Sequence, residues 1–418
     1  MPASPSTHPR TRATIPRMSE GVPSPTEPAT TGGVRRRDVL IAGAVGTGAL
    51  LLRPLRTLAV APPGLDHAVR ELMSAGRLPG LSAAVVRDAE VVWSRAWGLA
   101  NIAAGRRVTP DTLFMLASVS KTVVATAVLQ AVEEGLFELD GDVNDVLPFS
   151  VRNPVHPDQR LTVRQLLTHT SSIRDNWNLL IDSYVAGDAH MELGRFLRRY
   201  LAPSGADLAP NNYYAFGPGR SYRYANVGAS LAAYLVEAAS GTGFDTWCER
   251  RIFAPLGMDR AGWHLAGLPR RDIAMPYGWA GAKNEYVPYG QYGYPDYPDG
   301  ALRTTAPQLA RHLAMVMGNG SWRGHRLLAE ETVRELRRDQ VPALEPGQGL
   351  IWFQLQREGR TLFGHDGGDD GVATVCFFDP ETEVGVVALA NGNWRTVKGR
   401  FALYLIMDRL FEVASRLG

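Results

Sequence analysis

Lysine and cysteine are almost missing from this chain: among its 418 residues lysine occurs only at positions 121, 283 and 398, and cysteine only at 248 and 376. Two distant cysteines exclude the dense disulfide framework of a small secreted domain and the close spacing of a zinc site. Cys248 and Cys376 read as buried thiols, with a disulfide between them left open. A strong charge of one sign is missing too. The formal net charge is +2, and residues 1–61 hold eight arginines against three acids, so the remainder is mildly acidic and offers no basic face for nucleic acid. With 45% hydrophobic and 21% charged residues, the composition is that of a soluble globular enzyme.

Residues 1–61 differ in kind from the rest. They open with a Pro, Ser and Thr tract that lacks apolar periodicity and is expected to be disordered on its own. Arg35-Arg36-Arg37-Asp38-Val39-Leu40 then leads into an apolar run over 39–52, too short to span a bilayer and closed by Arg53 and Arg56. Paired arginines before such a run, diluted by Gly43, Gly46 and Gly48, resemble a twin-arginine export signal. Ala59-Val60-Ala61 offers a small-residue cleavage site ahead of Pro62. These features predict an exported protein, periplasmic or secreted, without a transmembrane domain in the mature chain. An uncleaved N-terminal anchor is the alternative.

The mature domain is expected over 62–418. Leu65, Val69, Leu72 and Met73 fall at helical spacing, and apolar runs at 81–86 and 91–97, separated by Asp88-Ala89-Glu90, read as a hairpin. Near the other end, 350–355, 361–363, 372–378 and 384–390 read as strands, and Phe401, Leu405, Leu410 and Val413 mark a last helix. Helical patterns over 123–134, 162–167, 228–239 and 305–317 dominate the middle, the last of them opening on a capping-box pattern, Thr305-Ala306-Pro307-Gln308. The fold class expected is α/β (α+β): an antiparallel sheet built from both chain ends with flanking terminal helices, about 62–115 and 300–418, and an inserted, mostly helical lobe, about 116–299. A site is expected in the crevice between them.

Ser118-Val119-Ser120-Lys121 stands at the head of one helical segment, which puts Ser118 near a helix N-terminus and Lys121 one turn along on the same face. A hydroxyl becomes a nucleophile when a neighbour takes its proton. A desolvated lysine can do this and arginine cannot, a telling choice in a chain that otherwise uses arginine. Tyr224-Ala225-Asn226 precedes another helical segment, and His365-Asp366-Gly367-Gly368 follows a strand. Asp366, Asp369 and Asp370 beside His365 read as turn composition before metal ligands, and no metal is expected. Tyr277, Trp279, Tyr286, Tyr289, Tyr292, Tyr294 and Tyr297 read as a long irregular loop that rims the cleft.

In these motifs and their order the chain resembles the serine β-lactamase and penicillin-binding-protein superfamily, in the branch with class C β-lactamases, D-alanyl-D-alanine carboxypeptidases and related esterases. Blocks at 81–98, 112–121, 161–171 and 252–258 extend the resemblance over roughly 65–415. It implies Ser118 as nucleophile, Lys121 and Tyr224 as its activating and proton-shuttling partners, and Asn226 as a ligand of substrate and Lys121. It also implies the backbone amides of Ser118 and Gly368 as the oxyanion pair, with His365 and Gly367 on the substrate-binding strand and His169 in a structural block. Class C enzymes carry Lys-Thr-Gly where this chain has His365-Asp366-Gly367, which counts against β-lactam hydrolysis. His365 would assist a substrate carboxylate only when charged.

The activity expected is hydrolysis of an amide or ester carbonyl through a serine acyl-enzyme, of D,D-peptidase, amidase or carboxylesterase type, with no cofactor and a small-molecule or peptide substrate. A β-lactamase, and a non-catalytic penicillin-binding sensor or scaffold, are the alternatives. Oligomeric state is not legible.

Overall fold

The computed structural model describes residues 63–417 apart from 393, 395 and 415; the expected export segment lies outside them. The chain enters through helix α1 (Leu65–Gly76) and forms strands β1 (Gly80–Arg87), β2 (Glu90–Asn101) and the short β3 (Arg106–Arg107). It then passes into helical structure, including α2 (Ser120–Glu133), α3 (Asn226–Ser240) and α4 (Ala306–Met317). Strands β4 (Phe353–Arg357), β5 (Arg360–Asp369), β6 (Val372–Asp379) and β7 (Val384–Ala390) follow, and helix α5 (Val397–Ala414) closes the chain.

The seven strands form one antiparallel sheet in the order β4-β5-β6-β7-β1-β2-β3, so β1 lies against β7 from the far end of the chain, Leu81 opposite Ala390. Its central strands are apolar on both faces because both faces are covered. Leu81, Ala83, Val85, Val375, Phe377, Val386 and Ala388 pack with Val69 of α1 and Leu403, Ile406 and Leu410 of α5. The alternate residues Ala84, Val86, Cys376, Phe378, Val387 and Leu389 join a second core with α2, α3 and α4. Polar ties fix the outer layer: Asp66 of α1 accepts from Trp97 Nε1 at 2.9 Å, and Asp408 of α5 receives the Arg357 guanidinium through two bonds of 2.8 and 2.7 Å.

Several expectations shift in detail. The segment 350–355 begins as a buried turn: Ile351 has φ 67° and its amide donates to Leu167 O at 2.6 Å, so β4 starts only at Phe353. The run 361–363 continues through His365-Asp366-Gly367-Gly368, because pairing with β6 overrides the turn-forming composition. The aromatic loop holds a hairpin, Tyr277–Ala280 against Glu285–Pro288, and its Tyr292, Tyr294 and Tyr297 are buried. The capping box at α4 is half made: Thr305 Oγ1 accepts from Gln308 N, but the Gln308 side chain turns to Asp259, Thr304 and Arg260. A complete one forms at Thr162 and Gln165. Both cysteines are buried and free.

Candidate active site

The sheet positions the site through one exposed edge. Strand β4 pairs with β5 only as far as Gly364, so residues 365–369 keep β6 on one side and present their other edge to the helical region. Against this edge lies the turn before α2. Leu116 N donates to Leu302 O at 2.8 Å, and Leu116 O accepts from Thr374 Oγ1 of β6 at 2.6 Å. Ala117 then takes a left-handed conformation with φ 47°, costly for a residue with a Cβ, and delivers Ser118 in a short 3₁₀ turn directly before α2. Only glycine fits opposite: a Cβ on Gly367 would lie 2.5 Å from Leu116 O and 3.0 Å from Ser118 N.

Lys121 is completely buried, and its Nζ donates to Ser118 Oγ at 3.1 Å and to the Asp299 carbonyl at 2.6 Å. The Asp299 carboxylate is 3.9 Å away. Burial pulls the lysine below its ordinary value, while Asp299, Asp175, Asp296 and Asp369 oppose that shift. The Tyr224 phenol neighbours the Ser118 hydroxyl, which acts to lower its pKa, and Lys121 Nζ lies 5.2 Å from its ring centroid. Its 36% exposure opens one flank of the site, whereas burial of its hydroxyl end pushes the phenol well above the usual value. These shifts keep the tyrosine neutral and ease the loss of a proton from Lys121.

His169, read from the sequence as structural, packs its ring against Tyr224, the centroids 4.2 Å apart and the planes tilted by 34°. Its Nδ1 accepts from Ala225 N, which fixes the other proton on Nε2, and burial beside Lys121 keeps it uncharged. Asn226, at the first turn of α3, gives its side-chain amide to Asp175 Oδ2 at 2.9 Å, and the same carboxylate accepts Asn226 N and Val227 N. Asp175 therefore caps α3 and anchors the Tyr224-Ala225-Asn226 segment. Asp175 and Asp299 carried no sequence signal; each acquires its place by folding, Asp299 across 178 positions from Lys121.

On β5 the side chains alternate. Asp366 turns to the outer face, where Tyr404 of α5 donates to it, and Gly368 packs its Cα against Trp394. His365 is buried beside the cleft, its ring 6.2 Å from Tyr224, and burial followed by the nearby Lys121 lowers its pKa to about 3. The structure thus brings Ser118, Lys121, Tyr224, His365 and Gly367 together, whereas Asn226, expected to reach Lys121, gives its side-chain amide to Asp175 instead. Among the described residues no group of three His, Cys, Asp or Glu side chains is arranged for a metal, and no helix is long and apolar enough to cross a membrane.

Residues 65–411 match the family model Beta-lactamase. The chain is 27% identical to penicillin-binding protein 4 of Amycolatopsis lactamdurans over 353 residues, 81% of this chain and 86% of that one. It is 34% identical to esterase EstB of Burkholderia gladioli over 213 residues, about half of each chain at 51% and 52%. In shape it is similar to the D-amino acid amidase of Ochrobactrum anthropi SV3 crystallised with D-phenylalanine, with TM-score 0.68 and 20% identity over 84% of this chain and 99% of that one.

Proposed function

The chain belongs to the Beta-lactamase family, and from that premise we propose that it is a serine hydrolase that cleaves ester or amide carbonyls through an acyl intermediate on Ser118. The observation that carries the reading is the Ser118 hydroxyl 3.1 Å from the buried Nζ of Lys121, whose pKa burial lowers, with the Tyr224 hydroxyl as its other neighbour. Neutral Lys121 takes the Ser118 proton as Oγ bonds to the carbonyl carbon. The resulting oxyanion rests on the backbone amides of Ser118 and Gly368, the pair implied by the family pattern. Tyr224 passes its proton to the departing alkoxide or amine and recovers one from Lys121. Water then attacks the acyl carbon, loses its proton by the same route, and releases the acid with Ser118 restored.

Relatives of both esterase and amidase type support the ester and amide range. The neutral His365 ranks β-lactam turnover below it. Export by the twin-arginine route, supported by Arg35-Arg36 and the short apolar run behind them, would bring D-alanyl peptides and related amides within reach. The test is turnover of a panel of chromogenic esters and D-amino acid amides by the wild type and Ser118→Ala. Loss of every activity in the variant, with its fold intact, supports the reading; a variant that keeps its rate sinks it.

A further inference from the structure

The residue that departs most from the family pattern also has the most constrained protons. His365 Nδ1 faces the carbonyl oxygen of Asp366. A carbonyl can only accept, so Nδ1 must carry hydrogen, and in the neutral ring Nε2 is then a bare lone pair. That Nε2 is buried and has no hydrogen-bond partner among the described residues. Phe353 packs edge-on at 5.2 Å and Tyr224 lies at 6.2 Å, so the ring sits between apolar and aromatic walls beside the cleft. It has neither a charge nor a free N–H to offer.

Lys121, the cation beside Ser118, is committed to Ser118 Oγ and the Asp299 carbonyl. Asp366, next along β5, is held on the outer face by Tyr404. A substrate carboxylate laid along this strand would lose its hydration without gaining a donor from His365 or Lys121.

We propose that this site acts on esters and amides whose leaving group carries no carboxylate, and that His365, fixed as the Nδ1–H tautomer by the Asp366 carbonyl, is the residue that sets this selection. The inference rests on the serine-hydrolase reading above and narrows its substrates. C-terminal free acids, as in D-alanyl-D-alanine and penicillins, are selected against. Amides, esters and amidated peptides are accepted.

Two measurements test it. The first compares N-acetylglycyl-D-lactate, a free acid, with N-acetylglycyl-D-lactamide, its neutral counterpart. Water cleaves the same ester bond in each, releasing N-acetylglycine and either lactate or lactamide. The wild type should favour the amide by at least ~100-fold in kcat/KM, and His365→Lys, which supplies a cation, should narrow or reverse that ratio. Equal turnover of the two, or preference for the acid by the wild type, overturns the proposal. The second needs no turnover: ¹⁵N-histidine NMR at pH 7, with His365→Gln to assign the signals, should show His365 protonated at Nδ1 and bare at Nε2. A proton at Nε2 overturns the proposal even if the lysine variant fails to fold. Fluorophosphonate labelling in parallel keeps the two readings apart. An adduct at Ser118 with no discrimination removes only this inference, whereas absence of any adduct removes the hydrolase reading beneath it.

Discussion

Replacing Gly367 with alanine adds one methyl group at the point where the sheet meets the nucleophile. That methyl would lie 2.4 Å from Thr374 Oγ1, 2.5 Å from Leu116 O and 3.0 Å from Ser118 N. The threonine hydroxyl can rotate away, although it then gives up its 2.6 Å bond to Leu116 O. The Leu116 carbonyl cannot rotate independently: it is backbone, and the next residue is already in the left-handed region at φ 47°. Restoring an ordinary contact of 3.4 Å requires Leu116 O and β5 to part by about 0.9 Å. Overpacking of this kind costs ~1–3 kcal/mol, and a displacement approaching 1 Å at a reacting group costs ~100-fold in rate. Gly367→Ala should therefore remain folded, lose ~1–3 kcal/mol in urea unfolding, and lose ~100-fold in kcat/KM on a chromogenic ester. A folded variant whose kcat/KM stays within about threefold of wild type would refute the claim that Gly367 sets the position of Ser118.

Other outcomes follow from the same geometry. Lys121→Arg introduces a permanent cation that cannot supply a free base, so acylation in single-turnover assays should slow by ~100- to 10,000-fold; near-normal acylation would remove Lys121 as the base. Asp175→Ala leaves Asn226 N and Val227 N unpaired at the start of α3, and urea unfolding should register a loss of ~1–3 kcal/mol. His312 is fully buried, with Nε2 on Thr126 Oγ1 at 2.9 Å, and its pKa falls from 6.5 to about 4. The unfolded chain takes up that proton below 6.5 while the folded chain refuses it until about 4, so stability is lost on acidification. Between pH 7 and pH 5 the wild type should lose about 2 kcal/mol more than His312→Gln, and parallel stability curves for the two would contradict this.

Local chemistry explains what could be read before folding. The strands at both chain ends were visible because the central ones are apolar on both faces, and Ser118 with Lys121 because one helical turn joins them. Strand limits were less legible where tertiary contacts intervene: Ile351 is bent into a turn by its bond to Leu167, and β5 runs through two glycines because β6 pairs with them. Gln308 follows the capping pattern in type, yet Asp259 and Arg260 capture its side chain. Asp175, Asp299 and the packing of His169 against Tyr224 were illegible, because their partners lie far away in the chain. The neutral state of His365 also depends on burial, which no local pattern encodes.

The central claim is that Ser118 becomes covalently acylated, and intact-protein mass spectrometry tests it most directly. The wild type and Ser118→Ala would each be treated with a fluorophosphonate and then with a chromogenic ester. One adduct per wild-type chain is expected, located on Ser118 by peptide mapping, and none on the variant. An adduct on another residue, or none on a wild-type chain shown to be folded, would contradict it.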